Sequence, residues 1–334
     1  MTSSEMQAPP IAAAARSGPR LRLAAIRDYG IVVFFVVLFV VLSIASDAFL
    51  SKDNLLNILD QWSPALIMAA ASTLVLVGGG FDLSIGSIFG LGGVVAAVLA
   101  DDVGVVPALL AGVGAGVVCG LVNGLLMTTG RINPFIATLA TMMMFLGAAF
   151  LVTDGGNLIT VTTPGFSDVG TGELLGVSYL IWIAAVFVAV CGFVLSRTVF
   201  GRFLYAAGGN PEAAWLSGVN VSRVRVIALV LSGGAAALAG VLVASKVSTG
   251  QADAGGLTLA LNALTGVILG GVSIAGGEGA IWRTVLGVML LALIGNGFNL
   301  LGVDGTYQQI VQGAIILVAV GVDAWAKVSA TAPK

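Results

Sequence analysis

One ionisable residue, Asp82, stands among apolar residues with two hydroxyl side chains close by. The segment G-G-G-F-D-L-S-I-G-S covers residues 78–87 and includes Ser84 and Ser87. If the glycines interrupt a helix within a bilayer, these three side chains line a polar path whose backbone groups are satisfied by a water-filled cavity. The same residues also fit a turn in which Asp82 caps the following helix. Both interpretations stay open at this point.

Carboxamides within apolar segments are the second group of candidates. A buried amide is costly in lipid unless it is paired, so most should bond one helix to another, and a minority can face a path. Asn133 should cap a helix whose first turn contains Pro134. Besides the three residues above, the candidate translocation path comprises Asn123, Asn133, Phe135, Asn296, Asn299 and Gln309.

The residues that most enzymes need are missing. The 334 residues include no histidine, the commonest general base and metal ligand. There is no G-x-x-x-x-G-K-[ST] phosphate loop, so the chain should not hydrolyse ATP by that route. Cys119 and Cys191 lie in apolar runs and are expected to be core residues rather than a disulfide. We therefore expect no catalytic residue, no metal site and no bound cofactor, and the dispersed basic residues argue against nucleic acid.

The elements that position these side chains are predicted to be transmembrane helices. The chain is 58% apolar and 9% charged, with a mean hydropathy of +1.08, whereas a soluble domain has about a quarter charged residues. This composition predicts an all-α membrane protein. Segments near the roughly 20 apolar residues that span a bilayer lie at about 29–46, 62–78, 85–100, 104–128, 135–153, 179–195, 226–245, 258–272, 281–300 and 308–326. The predicted transmembrane domain is thus 29–326, between a disordered tail at 1–28 and a short tail at 327–334.

Basic residues predict the orientation of these ten helices. With the N-terminus in the cytoplasm, twelve of the fourteen Lys and Arg residues fall in cytoplasmic segments, and only Lys52 and Lys246 fall outside. Ten of the sixteen acidic residues then fall outside. Both termini are therefore predicted to be cytoplasmic.

A shift of 173 residues aligns two parts of the chain without gaps. Residues 122–125 (V-N-G-L) fall on 295–298 (G-N-G-F), and Gly114 falls on Gly287. The same shift places helices 2–5 on helices 7–10, which start from opposite sides of the membrane. The sequence thus predicts an inverted repeat, an arrangement that usually places the substrate path at the interface of its halves.

The longest strongly polar stretch after the N-terminus, 196–225, is cytoplasmic in this arrangement. It contains Gly208, Gly209, Asn210, Pro211, Glu212, Ala213, Ala214, Trp215, Leu216, Ser217 and Gly218. Asn210 as N-cap, Pro211 at the first position and Gly218 in a left-handed conformation predict a short helix over 211–217. Glu212 would face the positive end of its dipole. Such a helix either lies on the membrane or docks into a groove of a soluble partner.

Four blocks of sequence can be compared with a known family. They are G-G-G-F-D-L-S-I-G-S (78–87), I-N-P-F-I-A-T-L (132–139), G-R-F-L-Y-A-A-G-G-N-P-E-A-A-W-L-S-G-V-N (201–220) and I-L-G-G-V-S-I-A-G-G-E-G (268–279). In order and spacing, over roughly residues 55–325, they resemble the permease subunits of ribose- and other monosaccharide-type ABC importers. Phe81 is a departure, because the family often has Ile or Val there.

The resemblance implies a homodimeric pore in the bacterial inner membrane. Residues 208–218 would dock onto a cytoplasmic ABC ATPase, which uses ATP and Mg, while this chain binds no cofactor. The outer loops would receive a pentose, hexose or related polyol from an extracytoplasmic sugar-binding protein. A change of Asp82 is expected to harm transport whether that residue caps a helix or lines the path.

Three other functions stay open at this point. Nucleoside and branched-chain amino-acid ABC permeases are related, although the monosaccharide family matches better at 78–87 and 268–279. An ion-coupled secondary carrier usually has several ionisable residues within the membrane, and here Asp82 is the candidate. A scaffold or receptor offers no role for the capped helix.

Overall fold

Apolar helices make up most of the fold. The computed structural model describes residues 20–304 together with Tyr307, Ile310, Val311, Gly313, Ala314 and Leu317, with the backbone alone for residues 20–29. Within this part of the chain the helices are α1 (Arg20–Ala45), α2 (Lys52–Val77), α3 (Ile85–Val103), α4 (Val105–Thr128), α5 (Pro134–Val152), α6 (Asp168–Thr171), α7 (Tyr179–Arg197), α8 (Val199–Gly209), α9 (Pro211–Leu216), α10 (Val221–Val247), α11 (Gly256–Leu269) and α12 (Ile281–Leu300).

Four two-residue strands connect loops at one end of the helices. β1 (Ile159–Thr160) pairs antiparallel with β4 (Thr249–Gly250), and β2 (Glu173–Leu174) pairs antiparallel with β3 (Val177–Ser178). These pairs tie together parts of the chain that connect transmembrane helices and add no sheet layer.

Hydropathy located the helices well. Each of the first nine predicted segments overlaps a helix, whereas the tenth, 308–326, lies largely outside the described residues, as do 1–19 and 327–334. The first helix begins at Arg20, nine residues before the predicted 29. Of the described residues, those in α2, α3, α4, α5, α7, α10 and α12 form helices long and apolar enough to cross a membrane. The apolar part of α1 and all of α11 are shorter.

Long-range contacts show which loops lie together at each of the two ends of the helices. At what we call the α9 end, the backbone N–H of Gly277 donates to the Val77 carbonyl at 2.9 Å, and Arg225 lies against Gly78. At what we call the β1–β4 end, Lys246 forms an ion pair with Asp60. Helices α2 and α4 therefore run towards the α9 end, and α10 and α12 run away from it.

The central helix is α10, which packs against α2, α3 and α4. Glycines allow this close approach, as expected in membranes, where small residues let helix backbones touch. A Cβ atom built on Gly233 would lie 2.8 Å from the backbone nitrogen of Gly120 in α4. One on Gly93 of α3 would lie 3.0 Å from the carbonyl oxygen of Gly240. Much of α4, α5 and α7, by contrast, is exposed apolar surface suited to lipid or to another subunit.

The 173-residue shift matches helices better than it matches individual residues. It places α2, α3 and α4 on α10, α11 and α12, and each helix runs opposite to its counterpart. The contacts of α10 with α3 and α4 correspond to contacts of α2 with α11 and α12. Gly114 and Gly287 differ, however, because a side chain at Gly114 would meet no atom within 4 Å, whereas Gly287 packs on Gly266 and Gly270.

Candidate functional site

A buried network of polar side chains surrounds Asp82, between α2 and α3. The carboxyl group accepts hydrogen bonds from the backbone N–H of Ser84 at 3.1 Å and from its hydroxyl at 2.7 Å. Its second oxygen accepts from the hydroxyl of Ser232 in α10 at 2.8 Å. All three side chains are at most 1% exposed. Asp82 therefore anchors the start of α3 to α10 inside the protein.

The network continues from Ser84 into α4 and α5. The amide of Asn123 donates to the Ser84 hydroxyl at 2.7 Å, and its oxygen accepts from Thr141 at 2.6 Å. One turn earlier in α5, the hydroxyl of Thr138 accepts from the backbone N–H of Leu83 at 3.1 Å. We call Asp82, Ser84, Asn123, Thr138, Thr141 and Ser232 the Asp82 network. It joins the α2–α3 break to three helices, and each of its side chains has a partner.

This placement agrees in one respect with the capping interpretation of Asp82. As in the capping interpretation, its carboxyl group receives the N–H of Ser84 at the start of a helix. It is buried, however, and its partners are protein groups of α3 and α10. Ser87 is also buried and bonds within α3 to the carbonyl of Ser84.

Two path candidates in α5 face outward at the α9 end. Asn133 caps α5 as predicted, because its side chain accepts from the backbone N–H groups of Phe135 and Ile136 and Pro134 follows it. Phe135 is 49% exposed, and its ring lies 5.7 Å from that of Phe81. The unusual aromatic residue in the 78–87 block thus pairs with the first turn of α5.

The remaining path candidates lie elsewhere. Asn296 of α12 forms a reciprocal amide pair with Asn54 of α2, with nitrogen–oxygen distances of 2.7 and 3.2 Å. It thus bonds one helix to another, the role expected of most buried amides. Asn299 lies three residues further along α12, near the β1–β4 end. Gln309 lies outside the described residues.

The short helix in the polar stretch has the predicted caps. The side chain of Asn210 accepts from the N–H of Ala213 at 2.9 Å, and Pro211 opens α9. At the other end Gly218 has φ +87° and donates to the Trp215 carbonyl, while Val219 donates to Ala214. These two bonds form a Schellman motif, which satisfies the last carbonyls of a helix.

Helix α9 presents apolar side chains to its surroundings. Trp215 is 68% exposed and Leu216 is 73% exposed, whereas Ala214 and Val219 are buried beneath them. A shallow cleft beside Trp215 is lined by residues 218–222. Glu212 lies in the first turn and is exposed. The helix is a small, firmly capped element with an apolar surface beside an acidic residue.

Three backbone segments meet behind α9 at what we call the glycine junction, formed by Gly79, Gly208, Gly276 and Gly277. The end of α8 lies so close to the end of α2 that a Cβ atom on Gly208 would overlap the Val77 carbonyl oxygen. A Cβ atom on Gly276 would lie 2.8 Å from the Cα of Gly79 and 3.0 Å from that of Gly208. Such close approach requires glycine.

Two side chains fasten this junction. Arg225, in the first turns of α10, donates from Nε to the Gly78 carbonyl at 3.1 Å and from Nη2 to the Ala207 carbonyl at 3.3 Å. The Tyr205 hydroxyl donates to the Gly279 carbonyl at 2.7 Å. Burial raises the pKa of this hydroxyl, against a smaller opposing effect of the Arg283 charge, so the hydroxyl stays protonated at neutral pH.

Sequence reasoning did not single out Tyr205 and Arg225. Tyr205 lies within the 201–220 block. Its partner, the carbonyl of Gly279, is 74 residues away in sequence and comes close only when the chain folds. An arginine that enters an apolar helix was the one available signal for Arg225. Its partners are main-chain carbonyls far away in sequence, and no residue type marks these.

A cap of loop residues covers the β1–β4 end. Asp101, at the end of α3, accepts from the backbone N–H groups of Thr162 and Thr163 at 3.1 and 2.9 Å, and both hydroxyls donate to it as well. The hydroxyl of Ser245 in α10 donates to the carbonyl of Phe166, whose ring is buried. The long loop between α5 and α7 is thereby held against α3 and α10.

The described residues contain no group of three His, Cys, Asp or Glu side chains that could hold a metal ion. Cys119 and Cys191 are free and buried, as predicted. Hydrogen-bonded groups in this part of the chain include the Asp82 network, the glycine junction, the β1–β4 cap and the Asn54–Asn296 pair.

Known proteins resemble this chain along most of its length. The family described as branched-chain amino acid transport system / permease component matches residues 54–320. The ribose import permease protein of Haemophilus influenzae is 37% identical over 267 residues, 77% of this chain and 80% of its own. The L-arabinose ABC transporter permease protein of Azospirillum brasilense is 41% identical over 265 residues, 78% of this chain and 77% of its own. The ribose import permease protein of Bacillus subtilis is 40% identical over 257 residues, 76% of this chain and 80% of its own. No solved structure matches.

Proposed function

The chain belongs to the family described as branched-chain amino acid transport system / permease component, and from this premise we propose that it is the permease subunit of an ATP-driven monosaccharide importer. It is a multi-pass protein of the inner membrane. The relatives named for ribose and arabinose favour a monosaccharide over the nucleosides or amino acids that related permeases could carry. The observation that carries the proposal is α9, a capped helix with exposed apolar side chains.

In this proposal α9 docks onto a cytoplasmic ABC ATPase, which binds ATP and Mg. Trp215 and Leu216 supply the apolar contact that a groove on the partner would bury, as aromatic anchors do in protein interfaces. The caps make α9 a rigid lever, so a movement of the ATPase pair displaces it as a unit. The outer loops receive the sugar from an extracytoplasmic binding protein.

We further propose ten spans, cytoplasmic termini and an inverted repeat. The opposite directions of α2–α4 and α10–α12, together with the matching contacts within and between them, support the repeat. Lys52 and Lys246 lie at the β1–β4 end, and Arg202, Arg223 and the rest of 196–225 lie at the α9 end. By the positive-inside rule, this distribution supports a cytoplasmic α9 end.

Two copies of this chain should form the pore. Each chain carries one α9, whereas ABC ATPases work as a pair, so two docking helices are needed. The exposed apolar surface of α5, including Phe135, Met143 and Met144, is available to a second copy. In this arrangement the α5 face rather than the closed Asp82 network borders the path, and the network holds α5 in place.

Reconstitution tests the proposed function. The chain should be purified with its ATPase and placed in lipid vesicles. The binding protein is added on the side of the β1–β4 end, and ATP on the side of the α9 end. Sugar uptake should require ATP, Mg and the binding protein together, and the ligand of that protein, measured by calorimetry, should be a monosaccharide. Uptake by this chain alone, driven by an ion gradient, would instead identify a secondary carrier.

The docking role of α9 has its own test. Replacement of Glu212 or Gly218 should leave the protein inserted but weaken the stimulation of ATP hydrolysis by sugar-loaded binding protein. ATPase stimulation equal to that of the wild type in both variants would argue against docking through α9.

A further inference from the structure

The end of α8 contacts both the α2–α3 break and the α11–α12 turn, directly behind α9. We propose that the glycine junction, fastened by Tyr205 and Arg225, transmits the displacement of α9 to these two segments, and that Tyr205 and Arg225 are positioning residues for transport. This inference rests on the proposed function, because it assumes that an ATPase moves α9. It adds the route by which that movement enters the membrane.

The first argument is that the backbones of the three segments are in direct contact. Gly277 donates its N–H to the Val77 carbonyl, and Gly208 touches the same carbonyl, so α2, α8 and the α11–α12 turn share one contact point. Backbone atoms in direct contact cannot yield as side chains do. A displacement of α8 must therefore move its two neighbours or break this contact.

The second argument concerns the two side chains that hold the junction together, Arg225 and Tyr205. Arg225 uses separate nitrogen atoms to bind the carbonyl of Gly78, directly after α2, and the carbonyl of Ala207 in α8. A guanidinium group presents its donors in a fixed plane, so it fixes the relative position of the two carbonyls. The Tyr205 hydroxyl joins α8 to the α11–α12 turn through one hydrogen bond, to the Gly279 carbonyl. Each of these two side chains thus links α8 to one of the two segments that α8 contacts.

The third argument is what lies beyond the junction. Residues 78–80 lead within a few positions to Phe81, Asp82 and Leu83. Of these, Phe81 contacts Phe135 and Leu83 donates to Thr138, both in α5. The contacts therefore form a continuous chain from α9 through the junction and the break to the exposed α5 face. Coupling between distant sites can follow such contiguous networks.

Sugar moved per ATP hydrolysed is the quantity that tests this role. We would compare Tyr205→Phe and Arg225→Gln with the wild type in reconstituted complexes, and use Arg223→Gln as the matched control. Arg223 lies on the same helix and is exposed. Uptake per ATP should fall about fivefold or more in the first two variants, the lower end of typical coupling between sites, while copurification with the ATPase is retained. Arg223→Gln should stay within about twofold of the wild type.

A pair of glycine variants makes the test independent of polar side chains. Gly208→Ala places a methyl group on the Val77 carbonyl, whereas Gly114→Ala, also in a helix, meets open space. Gly208→Ala should lower uptake per ATP, and Gly114→Ala should not. Wild-type uptake per ATP in both Tyr205→Phe and Gly208→Ala would overturn the proposal, whether or not the Arg225 variant assembles. Failure of the wild type itself to couple ATP to uptake would refute the proposed function instead.

Discussion

The Asp82 network predicts a large difference between two substitutions of the same residue. Asp82→Ala removes the acceptor of three buried hydrogen bonds, those from the Ser84 N–H, the Ser84 hydroxyl and the Ser232 hydroxyl. Asp82→Asn keeps a carbonyl oxygen for Ser84 and offers an amide to Ser232, whose hydroxyl can rotate to accept instead of donate. We expect the first variant to be much less stable than the second.

The size of the expected destabilisation depends on whether each donor can find another acceptor after Asp82 is replaced. A hydroxyl can turn to a helix carbonyl, so the loss of each of the two hydroxyl bonds should cost only about 1 kcal/mol. The N–H of Ser84 cannot turn, and an unsatisfied buried N–H costs about 1–3 kcal/mol. The total for Asp82→Ala is about 3–5 kcal/mol, and for Asp82→Asn about 1 kcal/mol or less.

The protein contains its own probes for the assay. Cys119 and Cys191 are free and buried, so a thiol-reactive dye should label them only as the helices separate. Labelling against increasing denaturing detergent gives the free energy of unfolding for each variant. The matched control is Asp102→Ala, which changes an exposed aspartate at the end of α3. Equal stability of Asp82→Ala and the wild type would refute the network as described, and so would an Asp82→Asn variant as unstable as Asp82→Ala.

Three further predictions concern other parts of the molecule. Asp101→Ala should release the β1–β4 cap and speed proteolysis between α5 and α7, and the exposed neighbour Asp102→Ala should not; equal cleavage rates would count against the cap. Asn296→Leu should leave the side-chain oxygen of Asn54 without its donor, while the Asn54 amide nitrogen still donates to the Phe49 carbonyl, and should cost about 1 kcal/mol. Asn54→Leu with Asn296→Leu should restore part of that loss; additive losses would show that the two amides do not interact. Native mass spectrometry of the complex should find two copies of this chain for each ATPase pair, and one copy would contradict our account of the pore.

Local features of this fold could be predicted from sequence, because they depend on neighbouring residues. The caps of α9 are an example, since Asn210, Pro211 and Gly218 each act on backbone groups within a few positions. The cap of α5 by Asn133 is another. The transmembrane helices were found by hydropathy because their length is determined by lipid, whatever their neighbours are.

Contacts between distant segments could not be predicted in the same way. Arg225 binds main-chain carbonyls, which every residue has, so nothing in the sequence distinguishes its partners. The pairing of Asn296 with Asn54, 242 residues away, could not be foreseen from either residue alone. For Asp82 the sequence left open a position on a water-filled path or in a turn that caps the following helix. The structure has a buried cap, because Ser232 of α10 supplies a third donor.

The contact between α4 and α10 has a mechanical consequence. Gly116, Gly120 and Gly233 bring the two backbones into direct contact, and the Cβ atom of Ala237 in α10 packs against Gly116. Backbone atoms packed this closely cannot yield as side chains do, so a relative movement of α4 and α10 would have to break these contacts. The Asp82 network also links Asn123 of α4 to Ser232 of α10, so the two central helices should move together as one rigid body.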